Sequence, residues 1–162
     1  MMAAMSGPST AIISQVPASG AQKRRIVRVL RCSVIITKDW VCYDLTVPAI
    51  LTPLRSIADL DKALAESAEN LLLLFKHSDD CGTSLMALDE LQRHLEDASD
   101  VIRYRLITVQ TEREVSNEAA ARLGVPHRSP QVILVRGGEA VWSASHLQIS
   151  AETLQEATAD HS

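Results

Sequence analysis

The stretch Leu71–Ser84, which reads LLLLFKHSDDCGTS, decides the fold of this chain. Its first five residues, Leu71–Phe75, are all apolar, which is typical of a strand buried on both faces of a sheet. A polar corner follows and ends at Cys81, where a segment with helical periodicity begins. The sequence therefore predicts a strand, a turn and a helix, with a cysteine where the helix starts.

The rest of the chain from about Leu54 continues this alternation. Ser56 and Ser150 are suited to cap helices, Gly124 to end one, and Gly137-Gly138 to form a hairpin turn. The order helix, β-α-β, α, β-β, α implies one parallel pair with a right-handed crossover and one antiparallel hairpin. The predicted helices cover about 57–67, 81–97, 113–123 and 151–158, and the predicted strands 71–75, 101–109, 132–135 and 140–143.

A small mixed sheet with helices on both faces is the thioredoxin-like architecture, so the predicted fold class is α/β, thioredoxin-like. The predicted domain covers 51–160. Residues 1–50 are interpreted as an N-terminal extension that is largely disordered or of uncertain structure, because residues 1–22 are rich in Ala, Ser, Gly and Pro. Residues 26–36 have strand-like composition, and the sequence leaves open whether they form a strand.

Composition excludes several classes of function. The 162 residues carry a net charge of −4 and 3% aromatic residues, which disfavours the stacking surfaces of single-strand nucleic-acid binders. The short basic run Lys23–Arg25 favours a solvated tail over a nucleic-acid site. No apolar stretch reaches the roughly 20 residues of a membrane span, and no secretory signal is recognisable. We therefore expect no nucleic-acid or membrane partner and a cytoplasmic location.

Cys81 is the predicted nucleophile. Backbone N–H groups at a helix start favour a thiolate, which is the reactive form in thiol–disulfide exchange. Asp79 and Asp80 oppose the charged form, and Lys76 and His77 are expected to act as partial counterweights. The polar composition around Cys81 is not that of a protein core, so we interpret it as an accessible thiol.

The position three residues after Cys81 is Ser84, not a second cysteine. A Cys-x-x-Ser site cannot resolve its own mixed disulfide, so the predicted reaction cycle uses one thiol. Ser84 either donates a hydrogen bond to the thiolate or packs in the first helical turn, and the sequence leaves both open. The other cysteines, Cys32 and Cys42, lie in apolar, β-rich surroundings and are interpreted as buried and inert.

Ser129 and Pro130 precede the third predicted strand. In the predicted architecture we expect a cis Ser129–Pro130 bond beside the thiol, which would expose the backbone of Ser129 to an extended substrate. His77, His127 and His146 show no compact ligand spacing with Cys81, so no metal site and no cofactor are predicted. The candidate site therefore comprises Cys81 with Ser84, Ser129, Pro130 and His77 as supporting residues.

Several tracts between about residues 54 and 158 match one known family. They are Leu74–Ser78 leading to Cys81, then Ser84 and Met86–Ala87, Val115–Glu118 with Ala120–Ala121, Leu123–Gln131, and Val141–His146. On these tracts the chain resembles the bacillithiol system redox-active proteins of YtxJ type, which are also described as monothiol bacilliredoxin-like.

This resemblance implies a thioredoxin-like fold and a role in exchanging bacillithiol, a low-molecular-weight thiol, with protein cysteines. It implies that Cys81 is the redox cysteine, that Pro130 is the proline beside it, and that the partners are S-thiolated client proteins. Where the family usually reads Thr-Cys-Pro-Ile-Ser, this chain has Asp80–Ser84, DCGTS. The low-molecular-weight thiol is thus expected as a co-substrate.

Two other functions remain open at this point. Cys81–Ser84 is also similar to the Cys-Gly-Phe-Ser site of monothiol glutaredoxins, which carry an iron–sulfur cluster. Those proteins hold glutathione with a downstream Thr-Val-Pro tract, where this chain has Arg128-Ser129-Pro130. The third possibility is a thioredoxin-like binding module without enzymatic activity.

Overall fold

The structure, a computed structural model, describes residues 50–162. Every helix and strand predicted in this part is confirmed, with ends shifted by up to three residues. The strands are β1 (Thr52–Pro53), β2 (Leu71–His77), β3 (Ile102–Thr108), β4 (Gln131–Arg136) and β5 (Glu139–Ser145), and the helices are α1 (Ile57–Glu66), α2 (Gly82–Leu95), α3 (Arg113–Leu123) and α4 (Ala151–His161).

The five strands form one mixed sheet in the order β1-β3-β2-β4-β5. β2 pairs in parallel with β3 and antiparallel with β4, so it is hydrogen-bonded on both sides. β4 and β5 form the predicted hairpin, in which Gly137 and Gly138 both have positive φ. The predicted α/β fold class is confirmed, because the parallel pair, the hairpin and the central apolar strand all occur.

Alternate residues of β2 serve two separate cores. Leu71, Leu73 and Phe75 belong to the core covered by α2 and α4, whereas Leu72 and Leu74 belong to the core covered by α1 and α3. All five are at most 1% exposed. Since burying a leucine side chain stabilises a fold by about 1.5–3 kcal/mol, this strand needs helices on both faces.

The three residues predicted to cap helices, Ser56, Ser150 and Gly124, are confirmed in that role. The Ser56 hydroxyl accepts from the backbone N–H of Asp59 at 3.1 Å, and the Ser150 hydroxyl accepts from that of Thr153 at 3.2 Å. α3 ends at Gly124, which has φ +64°, a conformation that suits glycine.

Three features were not predicted. β1 is a two-residue strand paired with β3. A short 3-10 helix follows β5 at His146–Gln148, where His146 has φ +55°. β2 also runs two residues further than predicted, to His77, so the polar corner begins at Ser78 and the two residues before it are buried.

Residues 1–49 lie outside the described part of the chain. The possible strand over 26–36, the N-terminal extension and the interpretation of Cys32 and Cys42 therefore stay predictions, and the domain boundary near residue 50 does too. Among residues 50–162, no helix is long and apolar enough to cross a membrane.

Candidate redox site

Cys81 lies between β2 and α2 and is half-buried. It has extended backbone angles, and its carbonyl accepts the N–H groups of Ser84 at 2.9 Å and Leu85 at 3.1 Å, which begin the helix. The thiol makes no capping hydrogen bond to α2. The predicted place of the thiol at the helix start is thus confirmed, whereas a direct bond from the helix to the sulfur is absent.

Pro130 lies at the same end of β2 as the corner that leads to Cys81. The Ser129–Pro130 peptide bond is cis, as predicted. Lys76 pairs with Gln131 in the sheet, which places Pro130 beside the C-terminal end of β2. The Pro130 carbonyl accepts the N–H of His146 at 3.1 Å, so the short 3-10 helix is tied to this proline.

Ser129 is half-buried and presents free polar groups. Its Oγ atom is buried and has no hydrogen-bond partner. Within residues 50–162, its backbone forms no hydrogen bond with another backbone group. A chain segment that lies extended beside Pro130 could pair with the backbone of Ser129, as expected from the sequence.

His77 is buried against α2 and connects two other side chains. Its Nδ1 atom is 2.9 Å from the Ser84 hydroxyl, and its Nε2 atom is 3.2 Å from a carboxylate oxygen of Asp79. Burial lowers the pKa of His77, and Asp79 only partly opposes that shift. Burial therefore favours the neutral form of His77, which makes this residue a weak counterweight to the charges of Asp79 and Asp80.

The Ser84 hydroxyl is fully buried and is hydrogen-bonded to residues that precede Cys81. Asp79 accepts only, so Nε2 of the neutral His77 carries the proton and Nδ1 accepts from Ser84. The Ser84 oxygen in turn accepts the N–H of Ser78 at 2.8 Å. Of the two roles that the sequence left open, the structure favours packing in the first helical turn, with the hydroxyl bonded to His77 and Ser78.

Lys76 lies on the opposite face of β2 from His77, and its side chain is fully buried. Its Nζ atom donates to the carbonyl of Ser116 in α3 at 3.0 Å. Burial lowers the pKa of Lys76 to about 8. The Ser116 hydroxyl is 3.1 Å from Nδ1 of His127, whose pKa is lowered by burial and by the charges of Lys76 and Arg113.

Sequence analysis did not identify Gln110, which lies after β3 and contacts the corner before Cys81. The distance between its side-chain amide and the Ser78 hydroxyl is 2.7 Å. A signal for it was present, since polar residues that follow neighbouring parallel strands meet at one edge of a sheet. In residues 50–162, no group of three His, Cys, Asp or Glu side chains could hold a metal ion.

The family model for the monothiol bacilliredoxin BrxC matches residues 52–154. The chain belongs to the monothiol bacilliredoxin family. The match includes all five residues of the candidate site and confirms the resemblance deduced from the sequence. It supports a thiol-oxidoreductase-like role.

Solved structures give the same fold. A proposed oxidoreductase with a thioredoxin fold is 28% identical to this bacilliredoxin family member, with a TM-score of 0.60 over 67% of this chain and 94% of that chain. The thioredoxin of Fasciola hepatica is 19% identical, with a TM-score of 0.56 over 69% and 100% of the two chains. The Malassezia sympodialis thioredoxin is 12% identical, with a TM-score of 0.56 over 75% and 98%. The last two likenesses show the fold alone.

Proposed function

We propose that this protein exchanges a low-molecular-weight thiol, bacillithiol or a similar molecule, with the cysteines of S-thiolated client proteins through Cys81. The observation that carries the proposal is a half-buried thiol at the start of α2, at the end of the sheet where cis-Pro130 lies. Cys81 is the single cysteine among residues 50–162, which supports a cycle with one thiol.

The first step transfers the small thiol to Cys81. The Cys81 thiolate attacks the small-thiol sulfur of the client's mixed disulfide, that disulfide bond breaks, and a new one forms between Cys81 and the small thiol. The electron pair of the broken bond leaves on the client cysteine, which takes a proton from water. The backbone of Ser129 holds the client segment beside Cys81 during this attack.

The second step regenerates Cys81. A second small thiolate attacks the small-thiol sulfur attached to Cys81, which releases the Cys81 thiolate and a symmetrical disulfide of the small thiol. The two small thiols together supply the two electrons that reduce the client. We place this cycle in the cytoplasm, where small thiols are kept reduced.

The test starts from a client protein with one cysteine that carries bacillithiol. Incubation with the full-length protein is expected to release the reduced client and to increase the mass of the protein by one bacillithiol at Cys81. Cys81→Ser is expected to abolish both changes. Full release of reduced client by Cys81→Ser would overturn the proposal, and so would a wild-type protein that never acquires the small thiol.

A further inference from the structure

Ser78, Asp79 and Asp80, here called the thiol loop, connect β2 to Cys81. The N–H of Ser78 donates to the Ser84 hydroxyl at 2.8 Å. The N–H groups of Asp79 and Asp80 both point at the side-chain amide of Gln110. Because an N–H group only donates, the amide oxygen must face them, and it then accepts from Asp79 at 2.9 Å and from Asp80 at 3.2 Å.

A single side-chain oxygen of Gln110 thus accepts hydrogen bonds from three consecutive residues. In the same orientation the oxygen accepts the Ser78 hydroxyl at 2.7 Å. The backbone next to Gln110 is itself fixed, since the N–H of Val109 donates to the His77 carbonyl at 2.8 Å. The amide of an exposed glutamine ordinarily bonds to water. Here it bonds to the thiol loop instead, so a residue that belongs to neither β2 nor α2 helps to hold this loop in position.

We propose that Gln110 is a positioning residue for Cys81. By holding the thiol loop, it fixes the direction from which the sulfur approaches the disulfide of a client. This inference rests on the proposed exchange reaction. The attacking sulfur must align with the bond that breaks, and a displacement of about 1 Å can slow an aligned reaction by about 100-fold.

The test compares three substitutions at Gln110 in the full-length protein. Gln110→Met keeps the length of the side chain but has no acceptor oxygen, and Gln110→Asn withdraws the amide from the loop. Gln110→Glu keeps an acceptor oxygen in place. We expect exchange with a client mixed disulfide to slow about tenfold in Gln110→Met and Gln110→Asn and to stay within about twofold of wild type in Gln110→Glu.

Two further measurements separate positioning from other effects. Alkylation of Cys81 by iodoacetamide over a range of pH gives the thiolate fraction, by which each exchange rate is divided. This small reagent requires no aligned disulfide, so its rate per thiolate is expected to be the same in all variants. Amide hydrogen exchange at Asp79 and Asp80 is expected to be faster in Gln110→Met than in Gln110→Glu.

Gln155→Met is the matched control, because Gln155 is exposed on α4 and has the same substitution. It is expected to exchange at the wild-type rate. Wild-type exchange in Gln110→Met, or equal slowing in Gln110→Glu, would overturn the positioning by Gln110 and leave the function of Cys81 intact. A wild-type protein that does not exchange at all would overturn the proposed function, and the positioning would fall with it.

Discussion

At the scale of single residues, the chemistry around Cys81 depends on which polar groups already have hydrogen-bond partners. The Ser84 hydroxyl bonds to His77 and Ser78, although its position three residues after Cys81 corresponds to the second cysteine of a two-thiol site. These hydrogen bonds could not be predicted from the sequence, because no sequence pattern shows that His77 is buried and faces α2. The one-thiol character itself could be predicted from the motif alone.

Ser84→Ala is expected to destabilise the fold by about 1–3 kcal/mol, because it leaves the buried Nδ1 atom of His77 and the N–H of Ser78 without a partner. Urea unfolding measures this change. Ser143→Ala, on the exposed face of β5, is the control and is expected to stay within about 0.5 kcal/mol of wild type. Equal stability of the two variants would show that the Ser84 hydroxyl does not hold the corner.

At the scale of elements, the ends of helices and strands were less predictable than their presence. β2 was expected to stop at Phe75, because the apolar run ends there. It continues because the Ser116 carbonyl, 40 residues further along the chain, accepts from Lys76. Contacts between residues that lie far apart in sequence leave no local pattern.

The contact between α2 and β3 gives a prediction about pH. His94 at the end of α2 is buried, its Nε2 atom is 3.3 Å from the Tyr104 hydroxyl, and its Nδ1 atom has no partner. Burial lowers the pKa of His94 below the value of about 6.5 in the unfolded chain. The unfolded state then binds the extra proton first, so the contribution of His94 to the free energy of unfolding is fully present above pH 6.5 and is lost as the pH decreases below it.

His94→Phe is expected to remove part of this loss, because phenylalanine fills the same space and does not titrate. Urea unfolding at pH 7.5 and pH 5.5 gives the decrease for wild type and for the variant. The other buried histidine, His77, contributes in the same direction and remains in both proteins. An equally large decrease in the variant would mean that His94 is not a source of the acid sensitivity.

At the scale of the whole molecule, the sequence was sufficient to predict the architecture, because a strand as apolar as Leu71–Phe75 requires helices packed on both faces of the sheet. The two cores follow from that strand, and the parallel pair and the hairpin follow from the crossover to β3 and from Gly137-Gly138. The two-residue β1 could not be predicted, because it is defined by pairing with β3 and has no apolar run of its own.

The two cores should support the fold without taking part in the chemistry of Cys81. Leu72→Ala removes a fully buried side chain from the core under α1 and α3, and we expect it to lower the free energy of unfolding by about 2–5 kcal/mol. Leu147→Ala, at a side chain that is 78% exposed, is the matched control and is expected to change that energy by less than about 0.5 kcal/mol. At a temperature where both variants are folded, Leu72→Ala is expected to retain the wild-type rate of Cys81 alkylation. A slower rate in the folded Leu72→Ala protein would show instead that packing beneath β2 reaches the thiol.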